Sequence, residues 1–342
     1  MGEFKYKSEV HGEAGISARV VAKSQSAYSG QIIVSWEYGA PKCILAQIAT
    51  HNMLVKNAQS SRAVPTGKVL EQIRNNPVTP VHWGSNQAGM VAGEEIDNNV
   101  HFTAYGNVYT LNREDAWKHT AHLIANLQES WGEAGYHKQI VNRIGEAFTM
   151  VKGVITGTEF DNFFHLRYHK DADPYIRELA KCMWEAYEQA DAEVLHEGEW
   201  HTPYYGGGCW RQLGFNNEQG DWIDVDGFTK EQALKISAAA CGQVSYRKLD
   251  LSEDTVERVW DRLMGGDIIH ASVTGHQATP MNCAGRNESD ILEYLIETKG
   301  VTHLDENFDL WSAQFKHWIM HRKLIPNESF KGKFVPPKYG NK

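Results

Sequence analysis

Between Gln47 and Arg62 the chain reads QIATHNMLVKNAQSSR, which gathers His51, Asn52, Asn57, Gln59, Ser60, Ser61 and Arg62 in one short segment. Serine hydroxyls and exposed backbone N–H groups cradle phosphate oxygens, and an arginine adds a bidentate, charge-assisted pair. The segment leaves a strand-like run, so it suits an anionic ligand; an ordinary Asn/Ser turn has the same composition. A second feature is TEFDNFFHLRYH (158–169), where helical spacing sets Phe160, Phe163, Phe164 and Arg167 on one stripe. An arginine inside an apolar stripe calls for an anion, a carbonyl-rich ligand or a buried ion pair. Histidine pairs at helical spacing, His165/His169, His119/His122 and His317/His321, raise a metal hydrolase as a rival, although no Glu base stands between the paired ligands. The five cysteines (Cys43, Cys182, Cys209, Cys241, Cys283) are odd in number, widely spaced and free of CxxC, which favours reduced, buried thiols over disulfides or structural zinc.

The elements that must position these groups show in the periodicity. Strands are expected at 18–23, 31–38 and 42–49, separated by turns at Tyr28-Ser29-Gly30 and Tyr38-Gly39-Ala40-Pro41. Helices are expected at 66–75, stopped by Asn76-Pro77, at 112–135 with an Asn cap and closing Gly, and at 137–148. A β-branched strand at 150–156 then leads into the Arg167 helix and a long helix over 171–195, with Pro174 at its start. From 204 to 228 the composition turns to Gly, Asn, Asp and Trp without a period. The expected organisation is therefore a core at 1–205, a linker or excursion loop at 206–228 and a mostly helical part at 229–342, or one intertwined domain.

The chain has 342 residues, 42% hydrophobic and 23% charged, which is globular and too apolar for disorder. A net charge of −9 gives no basic footprint for nucleic acid or a membrane surface. No apolar stretch approaches the roughly 18 residues of a membrane span, and the charged start is not a signal segment, so a cytoplasmic protein is expected.

The 47–62 segment resembles the signature of the flavin-dependent thymidylate synthases: Arg-His-Arg, two residues, Ser, one, Asn, two, Ser, one, Arg. It falls here on Thr50-His51-Asn52, Val55, Asn57, Ser60 and Arg62. Further blocks look like the longer, viral-type members: PVHWGSNQAGM (80–90), GYHKQIVNR (135–143), TGTEFDNFFHLRYHKDADPYI (156–176), GEWHTPYY (198–205), VSYRKLD (244–250), HASVTGHQATP (270–280) and WIMHRKLIPNE (318–328). The CGQVSY and HASVTGH blocks follow the signature, where shorter members have them before it, as if the chain were permuted. WIMHRKLIPNE looks like a second, degenerate signature copy. Thr50, Asn52 and Val55 depart from the signature, and Val273 and Gly275 stand where viral-type relatives show Pro and Glu.

The resemblance implies an α+β fold, a mixed or antiparallel sheet flanked by long helices, in a homo-oligomer, a tetramer by family habit. It implies transfer of a one-carbon unit from methylenetetrahydrofolate to C5 of dUMP, with FAD reduced by NADPH. It puts Gln47, Gln59, Ser60, Ser61 and Arg62 on the nucleotide, with Arg143 arriving from a neighbouring subunit. Thr50, His51, Asn52, Asn57, Asn162 and Ser272 fall on the FAD side, joined by His321 and Arg322 of the second copy. Arg167 would polarise the pyrimidine ring, and His270 sits on the folate side. The folate-only synthases activate C5 with an attacking Cys; no cysteine here has a nucleophile's context, which agrees with ring activation by Arg and hydride donation by a flavin. The nucleotide positions are kept better than the cofactor positions, so C5 chemistry on another pyrimidine, or a non-catalytic nucleotide-binding relative, are the alternatives.

Overall fold

The computed structural model describes residues 5–104, 106–212, 220–245, 249–283, 285–333 and 335–336. The fold is α+β. Strands β1 (Ser8–His11), β2 (Ser17–Ser26) and β3 (Ile32–Pro41) form an antiparallel meander. The expected strand at 42–49 is instead a 3-10 turn, Lys42–Ile44, running into helix α1 (Leu45–Ala49). Ile44 and Ile48, four residues apart, are both buried while Cys43 is exposed, so the apolar spacing there is helical.

Strand β4 (Val55–Ala58) and helix α2 (Thr66–Asn75) follow, then the hairpin β5 (Val100–Ala104) and β6 (Asn107–Leu111). Helix α3 (Arg113–Glu133) is capped by Asn112, whose side chain accepts from the Asp115 N–H. Helix α4 (Lys138–Ile144) stops at Gly145 instead of running on to Phe148. A Cβ on Gly145 would stand 2.4 Å from Ile73 Cδ1 and 2.5 Å from Gln128 Oε1, so the bend lets α4 close on α2 and α3.

Strand β7 (Met150–Gly157) pairs with β3 on one side and β4 on the other. Helix α5 (Asp161–Arg167) and helix α6 (Pro174–Gln189), capped by Asp173, complete the first half. The long helix expected over 171–195 ends at Gln189; its β-branched tail becomes β8 (Glu193–Leu195), parallel to β2. The main sheet thus runs β1-β2-β3-β7-β4 with β8 on β2.

Within 204–228, Tyr204, Tyr205 and Trp210 are buried, and the Tyr205 hydroxyl donates to Asp224 at 2.5 Å; residues 213–219 of the expected loop lie outside the described residues. Strands β9 (Trp200–His201) and β10 (Cys209–Trp210), helices α7 (Lys230–Gly242) and α8 (Glu253–Met264), strand β11 (Ala278–Pro280) and helix α9 (Glu288–Glu297) come next. Strands β12 (His303–Leu304), β13 (Leu310–Ser312), β14 (Phe315–Lys316) and β15 (Trp318–Met320) follow. The expected mostly helical end is therefore interleaved with two- and three-residue strands, too short to leave a period in the sequence.

The main sheet is covered on both faces. Val20, Val34, Trp36 and Ile155 pack against Phe160, just before α5, and against Phe163, Phe164, Ile176, Leu179 and Met183 of α5 and α6. On the opposite face Val21 and Val154 meet Ala238, Ala240 and Cys241 of α7, and Ile33 meets Trp318 and Met320 of the small sheet β10-β9-β11-β15. This second layer carries the HASVTGH and WIMHRK segments onto the edge formed by β4.

Candidate functional site

The Arg167 helix forms as its stripe predicts: Phe160, Phe163 and Phe164 are buried, and Arg167 is half-buried at its end. The hydrogen bonds of Arg167 go to neutral groups. Its Nε donates to His51 Nε2 at 2.8 Å and an Nη donates to Thr50 Oγ1 at 3.3 Å. His51 is 9% exposed and sits edge-on against Phe163. Burial, with the charges of Arg167 and Lys56 beside it, holds its pKa below the usual imidazole value, so it is neutral with its proton on Nδ1. Among the described residues no carboxylate pairs with Arg167, whose charge therefore stands beside a neutral ring.

Lys56 lies under the end of α1, where its ammonium donates to the carbonyls of Ala49 and His51. Cations are favoured there, because the last carbonyls of a helix carry partial negative charge. Gln47, on the same helix, donates to Asp173 at the cap of α6.

Three sequence-distant segments meet in a cleft of about 460 Å³ on this edge. Ala49, Asn52, Leu54, Val55, Lys56 and Asn57 come from the 47–62 segment; Ser272 and Gly275 from the HASVTG turn; Met320, Arg322 and Lys323 from the 318–328 segment. Arg322 Nε and Lys323 Nζ donate to Glu328 at 2.8 and 2.7 Å, so one carboxylate serves two of the three cations. Val55 and Gly275 lie against each other: a Cβ on Gly275 would stand 3.0 Å from Val55 Cγ1. A larger residue at 275 would press on Val55, and the cleft wall there is apolar.

Gln59, Ser60 and Ser61 line a separate, smaller cavity of about 110 Å³ with Lys42, Lys68 and Asn142. Asn142, on α4, is buried, and its amide donates to the carbonyls of Ser61 and Val64, both at 2.9 Å. This staples the turn that carries Ser60 and Ser61. Arg62 and Arg143 are exposed and do not line it.

The structure thus joins Asn52, Asn57, Ser272 and Arg322 in one cleft, sets Thr50 and His51 beside it on Arg167, and gathers Gln59, Ser60 and Ser61 in another cavity. It also leaves Gln47, Arg62, Arg143, Asn162, His270 and His321 outside both cavities. Asn162 is exposed at the start of α5 and His270 is exposed before the HASVTG turn. His321 turns inward onto Trp200, 5.7 Å between rings, with Nδ1 lacking a partner among the described residues and its pKa pushed down to about 4 by burial. Sequence reasoning passed over Lys56, Lys323, Lys42, Lys68 and Asn142; an internal lysine in the signature was the one available signal.

The histidine pairs go to different partners: His122 to the Arg74 carbonyl, His317 to Asp309, His169 to Asp171. Among the described residues no three His, Cys, Asp or Glu side chains converge as a metal site. Burial raises all five cysteine thiols, Cys182 to about 12, and none of them lines the cleft, so no thiolate nucleophile is prepared there. No described helix is long and apolar enough to cross a membrane.

No protein-family model matches this chain, and no curated protein matches it. Among solved structures it is similar to the UMP/dUMP methylase PolB from Streptomyces cacaoi bound with 5-Br dUMP, at 12% identity and a TM-score of 0.38, over 53% of this chain and 93% of that one.

Proposed function

We propose that this protein is a flavin-dependent methyltransferase that moves a one-carbon unit from methylenetetrahydrofolate to C5 of dUMP. One observation supports this most: the 49–57 segment, the HASVTG turn and the 320–323 segment, the first more than 200 residues from the other two, form one cleft with three cations, Lys56, Arg322 and Lys323, and its lining residues Ala49 and Asn52 flank Thr50 and His51, the partners of Arg167. An anionic, polar-edged cofactor fits this donor set of Lys56, Arg322, Lys323, Asn52, Asn57 and Ser272, and FAD is the one the sequence resemblance implies. Bound there and reduced by NADPH, FAD would supply hydride.

The chain's own residues would do the rest. Gln59, Ser60 and Ser61, with Lys42 and Lys68, would hold the nucleotide phosphate in the smaller cavity, with Arg62 next to them in the chain and Arg143 reaching it from a neighbouring subunit. Arg167, its planar fork fixed by His51 and Thr50, would stabilise negative charge developing on the pyrimidine ring, where the half-buried setting weakens screening by water. The absorption spectrum of the purified protein between 350 and 500 nm, read before and after adding FAD and then dUMP, tests the reading (that window being roughly where protein-bound flavins absorb). Flavin bands that respond to dUMP support it; a protein that binds neither FAD nor dUMP refutes it.

A further inference from the structure

A row of small polar side chains crosses the main sheet on the face covered by the second layer: Ser24 on β2, Ser35 on β3, Thr156 on β7 and Asn57 on β4. Ser35 and Thr156 are register partners, and their hydroxyls are bonded to each other. Two histidines from the second layer bridge the row. His201, on β9, has Nδ1 2.9 Å from Ser24 Oγ and Nε2 2.9 Å from Ser35 Oγ. His276, beyond the HASVTG turn, has Nδ1 2.8 Å from Thr156 Oγ1 and Nε2 3.4 Å from Asn57 Oδ1. Asn57 Nδ2 then donates to Ser272 Oγ at 3.3 Å, at the cleft wall.

Ser24, Ser35, Thr156, His201 and His276 are fully buried. Burial pushes both imidazoles down to about 3, His276 and Lys7 adding to the effect on His201, so both rings are neutral. A neutral imidazole and a hydroxyl each give one proton, and therefore the direction of each bond fixes the next. Asn57 Oδ1 only accepts, so His276 carries its proton on Nε2 and its Nδ1 accepts from Thr156. Thr156 accepts from Ser35, Ser35 from His201 Nε2–H, and His201 Nδ1 from Ser24. At the other end Ser272 accepts from Asn57, which leaves the Ser272 hydroxyl proton for the cleft. Turning the Asn57 amide over would reverse every bond and both tautomers.

We infer that this chain is a polarity relay, in which His201 and His276 are positioning residues locked as Nε2–H tautomers so that Ser272 stands as a donor to an acceptor oxygen of the cleft ligand. The donor role rests on the cleft being the cofactor site proposed above; the tautomer lock is a property of the free protein. The acceptor is a phosphoryl oxygen or a ring carbonyl, and two probes separate them.

In the ligand-free protein labelled with 15N-histidine, long-range proton–nitrogen correlation should show His201 and His276 as single Nε2–H tautomers at pH 7, in the wild type and in Thr156→Ser. In Thr156→Val, His276 should stay Nε2–H while His201 becomes a mixture; Ser35→Ala breaks the next link and serves if the valine variant does not fold. Mixed tautomers in the wild type, or an unchanged His201 in a broken chain, would overturn the relay. Titration with pyrophosphate and with riboflavin then reads the donor role: Ser272→Ala should weaken one of them about tenfold, one ordinary hydrogen bond being worth about that factor. Equal affinities with and without the hydroxyl would overturn that role while leaving flavin binding intact. Failure of the wild type to bind any flavin would count against the proposed function, and the tautomer measurements would still decide the relay.

Discussion

Acidification from pH 7.5 to 5 should destabilise this protein through His201 and His276 in particular. Both are fully buried, and both have folded-state values of about 3. The unfolded chain holds an imidazole near 6.5, so between these values it binds more protons than the folded chain, and stability falls as the pH drops. At pH 5 an unfolded imidazole is almost fully protonated while the buried one is still neutral, which costs about 2 kcal/mol for each ring relative to pH 7.5. That cost is insensitive to the folded value as long as it lies below about 4. Two rings give about 4 kcal/mol, a large part of the roughly 5–15 kcal/mol that holds a typical protein folded. Urea unfolding followed by tryptophan fluorescence at the two pH values measures the loss. Other lowered imidazoles, His51, His317 and His321, add to the wild-type loss, so the comparison with His276→Gln isolates one ring. The variant should be weaker at pH 7.5, yet lose about 2 kcal/mol less on acidification. Equal pH dependence in the two proteins would refute the assignment of His276 as a buried neutral group.

Arg167→Lys keeps the charge but cannot reach both His51 Nε2 and Thr50 Oγ1 with a planar fork; kcat should fall about 100-fold with a smaller change in dUMP affinity, read by single-turnover oxidation of reduced flavin. Arg62→Ala should weaken dUMP binding more than about tenfold in calorimetry without altering the fold, since the proposed charge-assisted phosphate contact would be lost while an exposed side chain contributes no packing. Lys56→Met should weaken FAD binding by about tenfold and flatten its salt dependence in a fluorescence titration, because one of three cleft cations is lost. Asn142→Ala should release the 61–64 turn at a cost of about 1–3 kcal/mol in stability and should weaken dUMP binding with FAD affinity unchanged.

What was legible in the sequence is what is local. Helix α2 at Thr66–Asn75, the Asn112 cap and the Phe160–Arg167 stripe follow from spacing within one or two turns. Cleft residues Asn57, Ser272 and Arg322 were reached through ordered motif blocks, which carry information that periodicity lacks. The run 42–49 failed because its apolar residues satisfy two periods at once and only burial of Ile44 and Ile48 together selects the helix. The relay shows a deeper reason. Ser35 alternates with Val34 and Trp36, and such alternation reads as a sheet with one face in water, whereas Thr156 lies in a β-branched run that marks no face. Here that face is closed by β9, β11 and α7, so the same alternation marks a buried polar row whose partners, His201 and His276, lie 166 and 120 residues away. A buried hydroxyl on an otherwise apolar interface is tolerable only when bonded, so once the second layer is placed, the two histidines become the structural requirement of Ser35 and Thr156. The bond of His276 to Asn57, which in turn donates to Ser272, then ties the interior of the sheet to the cleft wall.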